Sequence, residues 1–294
     1  MELLIAGLFA VFVWWFSTGI ILYLDGLPRK THAWSLLAIT VLSIAAMIGL
    51  ALTASITTPL AAFAAFSFAI LCWGWQEMTL YLGMITGPRT EAADTQSRGW
   101  QRLSHAVQAI IYHELAILLM GLMLWAITWQ AENQVGLYTY LVLWWMRLSA
   151  KMNVFLGVPN HATEFLPDNI SYLQTYFTKQ PMNLLFPFSV TVSTVVAGLL
   201  LYTAIAAPTG SFEEAAYGLL AVLVSLAVIE HWFLVLPIPV NALWSWGLAS
   251  HKKSRHAGII TPKDDGEAGT ERRDKLAFPH TPTQTERPLA TSSS

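Results

Sequence analysis

Seven ionisable side chains stand inside otherwise apolar stretches of this sequence: Glu77, His113, Glu114, Arg147, Lys151, Glu230 and His231. Insertion scales put each charge at roughly 2.5–3.5 kcal/mol at the centre of a membrane helix, so such groups suggest function by default. The simplest chemistry is mutual neutralisation. Three carboxylates and two cations can form an ion-pair network, a buried polar layer that locks helices in register. Metal binding is a sharper alternative. Glu77, His113, Glu114, Glu230 and His231 carry the oxygen and imidazole donors that hold iron, manganese or zinc. His161 and Glu164, from "HATE", would join them if that loop folds inward; otherwise His161 is simply solvated. Against metal, Arg147 and Lys151 would repel a cation, and the spacings match no established motif. Pigment or haem ligation is a third chemistry. His113 and His231 each follow an alanine by four residues, Ala109 and Ala227, a spacing that lets a macrocycle lie flat beside an axial imidazole. A proton path is the weakest, because the opposite halves of these stretches are nearly all apolar. No nucleophile elbow, P-loop, dinucleotide fingerprint or zincin motif is present, so the reading leans away from an enzyme.

The elements that position these groups follow from composition. Of 294 residues, 55% are hydrophobic and only 12% charged, with 13 Trp. Soluble domains are about 25% charged. The expected fold is an all-α, polytopic integral membrane protein. The net charge of -2 says nothing about nucleic acid, but no basic patch with the right pattern is present, so the expected partner is membrane lipid and not nucleic acid. Seven segments are near the ~20 residues needed to span the hydrocarbon: roughly 3–24, 34–54, 59–85, 105–129, 135–156, 183–207 and 215–236. The first is read as a retained span, since it lacks a basic leader and "LPRK" follows it.

Lys and Arg alternate between the connections. Arg29, Lys30, Arg89, Arg98, Arg102, Lys179, Lys252, Lys253 and Arg255 fall in one set of loops, and the other three loops have none. That predicts seven transmembrane helices with the N-terminus outside and the C-terminus cytoplasmic. At 1.5 Å per residue, the seven ionisable groups then lie about 7–14 Å from the cytoplasmic boundary. A seven-helix transmembrane domain is expected over 1–249, and a disordered cytoplasmic tail over 250–294, which is polar and rich in Thr, Ser and Pro. Within the loop 157–182, "PDNISYLQTYF" predicts a short surface helix with Ile170, Leu173 and Phe177 on one face and Asp168 or Asn169 as cap. Trp244 and Trp246 are expected at headgroup level. Trp14 and Trp15, mid-span, must pack on a neighbour helix, a client or a pigment. Cys72 reads as a small packing residue.

The strings "KMNVFLGVPN", "QTYF", "PMNLLFPFSVT" and "EHWFLVLPIPVNALWSW" carry a further signal. Over roughly residues 1 to 250 the chain resembles the PuhE family, putative photosynthetic complex assembly protein 2 of phototrophic bacteria. The resemblance implies a bacterial inner (intracytoplasmic) membrane protein encoded beside the reaction-centre H subunit. It implies a non-catalytic factor assisting assembly of the photosynthetic reaction centre and antenna, or modulating bacteriochlorophyll supply. Photosynthetic complex subunits or pigment-synthesis proteins would be partners, and bacteriochlorophyll a transient ligand. The family supplies no catalytic residues to carry over. Two other classes stay open: a membrane metalloenzyme of pigment or lipid metabolism, and a bacteriochlorophyll carrier using His113 or His231.

Overall fold

The computed structural model describes residues 2–161 and 166–251. Among these the protein is a helical membrane protein without strands; the one extended pairing is a parallel bridge between Val158 and Lys179. Seven long helices follow in order: α1 (Glu2–Asp25), α2 (Arg29–Thr53), α3 (Pro59–Tyr81), α4 (Gly99–Ile127), α5 (Val135–Leu156), α6 (Leu185–Ala206) and α7 (Phe212–Phe233). Each falls on one of the seven apolar segments. Six are long and apolar enough to cross a membrane. The exception is α5. Its 22 residues give about 33 Å at 1.5 Å per residue, which is long enough. Arg147, Lys151 and Asn153 make it too polar, and it packs against α3, α4 and α7. The tail expected over 250–294 lies outside the described residues from 252 onward.

Polar caps join the helix starts to one another. Thr58 caps α3 by accepting from the Ala61 N–H at 3.2 Å, with Pro59 at the first helical position. Ser211 caps α7, and Glu214 accepts from the Gly210 N–H at 2.6 Å in a variant of the capping box. The other oxygen of Glu214 reaches the Leu3 N–H of α1 at 3.4 Å, which explains why this carboxylate is buried. Asn133 accepts from Val135 at the start of α5 and donates to the Thr53 and Ala61 carbonyls of α2 and α3.

The centre is built from α3 and α7, with 56% and 50% of their apolar windows buried against 17–22% for α1, α2, α4 and α6. Small residues make this possible. Ala62, Ala65 and Ala69 of α3 and Ala215, Gly218 and Ala221 of α7 let backbones approach closely, where lipid offers no hydrophobic drive. Cys72 is buried there with its thiol toward the Ser43 carbonyl, a packing residue as expected.

At the opposite end the connections fold back on the helices. Residues 82–98 cross α4 so closely that a Cβ on Gly87 would run into the backbone of Gln108 and Ala109. The surface helix expected near 168–177 is a 3₁₀ segment, Asp168–Tyr176, kinked at Ile170. With three residues per turn its buried face is Ile170, Leu173 and Tyr176, so Tyr176 takes the place expected of Phe177. Asn169 donates from its side chain to the Tyr81 carbonyl at the end of α3. Beyond α7, residues 237–251 return along α1. Trp15 donates to the Leu243 carbonyl at 2.8 Å and Trp244 to the Trp15 carbonyl at 2.9 Å. The Trp246 ring covers Gly19, where any side chain would collide with it. Trp244 and Trp246 pack on α1, and the neighbour demanded by Trp14 and Trp15 is this returning segment.

Candidate functional site

The parallel helices α1, α3, α5 and α7 enclose a crevice of about 160 Å³ near their C-terminal ends. On α3, Trp73, Glu77 and Tyr81 recur every four residues and so share the face toward it. Arg147 enters from α5, Trp14 from α1 and Glu230 from α7, while the deeper wall is apolar, including Ile70, Leu143 and Leu223.

The polar layer is divided into pairs that cross between helices. Arg147 donates to Glu77 at 3.0 Å, joining α5 to α3. Lys151 donates to Glu114 at 2.7 Å, joining α5 to α4. One turn apart on α5, the two cations thus reach opposite neighbours. Glu230 was expected to face Arg147. It lines the same crevice, but the bond its Oε1 makes is with the Trp14 indole N–H at 2.9 Å. The Glu77 side chain is 9% exposed, that of Arg147 is 38% exposed, and Glu230 is exposed at the mouth.

The two histidines differ from these and from each other. His231 turns away from the crevice. Its Nδ1 bonds the Ala227 carbonyl at 2.8 Å and its Nε2 the Ser149 hydroxyl at 2.9 Å. Ser149 continues to Ser189 of α6 at 3.0 Å, and Asn153 donates to the same Ser189. His113 is fully buried beneath the 82–98 connection, whose Thr86 carbonyl accepts the His113 backbone N–H. Neither of its ring nitrogens has a hydrogen-bond partner. As expected pigment ligands, both imidazoles are thus enclosed by protein, and Ala109 serves the close approach of Gly87.

Of the metal candidates, Glu77, Glu114, Glu230 and His231 each bond a different partner, and the ring nitrogens of His113 have none. Among the described residues no three of His, Cys, Asp and Glu converge as a ligand set. Glu164 lies outside the described residues. His161 is partly buried: its Nε2 bonds the Thr178 carbonyl at 2.9 Å and its ring packs on Phe177.

Several contributors are uncharged and were not found by a search for ionisable groups. Ser149 and Asn153, one turn apart on α5, align the hydroxyl–imidazole chain. Asn183 donates to the Asn153 and Gly157 carbonyls and caps the start of α6. Asn160 donates to the Phe233 carbonyl at the end of α7. The signal was present in the quoted strings, where each Asn follows or precedes an apolar run at a helix end.

The sequence profile of the family described as "Protein of unknown function (DUF3623)" matches residues 1–255. A protein of Rhodobacter capsulatus called "Uncharacterized 30.4 kDa protein in puhA 5'region" is 37% identical over 250 residues, covering 84% of this chain and 91% of its own length. No solved structure matches.

Proposed function

The chain belongs to the DUF3623 family, and on that premise we propose that it is a non-catalytic membrane factor serving the photosynthetic apparatus. It assists assembly of the reaction centre and antenna, or regulates the bacteriochlorophyll that reaches them, from the bacterial inner membrane. Its partners are subunits of those complexes or pigment-synthesis proteins. The observation that carries this reading is the relative's location in the region 5′ of puhA, the gene context that the resemblance of the sequence implies. The site geometry supports a scaffold. Two ion pairs and several side-chain hydrogen bonds hold α1, α3, α4, α5, α6 and α7 together.

The test is removal of the gene from a phototrophic host, followed by absorbance measurement of reaction centre and antenna in isolated membranes. Both should fall severalfold and recover on complementation. Unchanged absorbance, with no complex subunits retained by the purified protein, would sink the proposal.

A further inference from the structure

The crevice has more negative than positive groups. Within the layer, Arg147 pairs with Glu77 and Lys151 with Glu114, which leaves Glu230 as a third carboxylate, near Arg147 in the crevice but not in an ion pair with it. Among the described residues no cation lies within ion-pair distance of it. Trp14 donates to one of its oxygens, and the group remains exposed at the crevice mouth. Deeper in, the Glu77 side chain is more than nine-tenths buried, and its second oxygen, Oε1, has no hydrogen-bond partner. Trp14, Trp73 and Tyr81 give the crevice aromatic walls, the surface a cation prefers when water is excluded. The volume, about 160 Å³, accepts a single ring or a short branched chain.

We infer that the crevice binds an organic ammonium carried on an apolar body, its charge against Glu230 and its body against the aromatic and aliphatic wall. Two sources share that chemistry: a free amine, and the ethanolamine headgroup of a membrane lipid. This goes beyond the assembly role and does not depend on it.

The experiment uses the full chain in detergent. 2-Phenylethylamine, protonated at neutral pH, is titrated against tryptophan fluorescence and thermal unfolding beside the neutral isostere 2-phenylethanol. The amine should bind at least about 10-fold more tightly, the margin of a charge-assisted contact over a neutral one. Glu230→Gln should bring the two ligands level. A second arm places the protein in nanodiscs of mixed phosphatidylethanolamine and phosphatidylglycerol and measures the lipid retained by native mass spectrometry. Selective retention of phosphatidylethanolamine, lost in Glu230→Gln, identifies the headgroup as the source. Amine preference without such retention identifies a free amine. Equal binding of amine and alcohol together with no selective lipid retention overturns the inference. So does a preference that survives in Glu230→Gln. The wild-type comparison decides even if the variant does not fold.

Discussion

Where α3, α5 and α7 begin, the bundle is closed by small residues and by caps, among them the carboxylate of Glu214 bonded to backbone N–H groups; where they finish, it is held by ion pairs around an open crevice. At the first end, Gly136 of α5 lies so near Leu50 that a Cβ would have to displace the Leu50 methyl, and Asn133 joins three helices through uncharged hydrogen bonds. At the second, two ion pairs and a carboxylate–indole bond span the gaps between helices. Apolar packing in a membrane gains only from dispersion and close fit, so it tolerates no gap. Charge pairs act across a gap but must stay paired, because an uncompensated buried charge is costly. A site that admits a ligand therefore belongs at the charged end.

Three substitutions sharpen this contrast. Arg147→Leu should do most, leaving Glu77 unpaired in its buried position at a cost of about 3–5 kcal/mol. Yield and thermal stability in detergent should drop, and Glu77→Gln in the same chain should restore part of both. Normal stability of the single variant would remove the charged end's distinction. Gly136→Leu should come next at about 1–3 kcal/mol through overpacking. It should loosen the small-residue end without changing 2-phenylethylamine binding, which a titration of the variant checks. Lys151→Met should cost least, under about 1 kcal/mol, because Glu114 is partly exposed and can be solvated. If its melting temperature fell as far as that of Arg147→Leu, the two pairs would be one network.

How far the sequence foretold this depends on which physical rule governs each feature. Hydropathy located all seven helices, because a span must be apolar wherever it meets lipid. It misrepresents α5, whose central position admits Arg147 and Lys151. Depth arithmetic brought Glu77 and Arg147 to one level, since helical rise is fixed. It could not choose partners. Rotation of α5 decides that Arg147 forms its ion pair with Glu77 while Glu230 stays nearby and bonds Trp14, and rotation depends on side-chain packing along the whole helix. The face of the 168–176 segment was misjudged by one residue, because the periodicity assumed was that of an α-helix. Trp244 and Trp246 were read from a general preference for interfaces, which does not reveal the close-fitting surface that Gly19 offers Trp246 on α1. That match is between residues more than two hundred positions apart, so no local pattern reveals it.

The return of residues 243–251 onto α1 sets an order of events during synthesis. Trp15, Gly19 and Leu22 are synthesised early, yet their partners Leu243, Trp246 and His251 are synthesised only after all seven long helices. The first span must wait, partly unsatisfied, through translation of nearly the whole described chain. A truncation that removes those last residues would strike the earliest helix to insert.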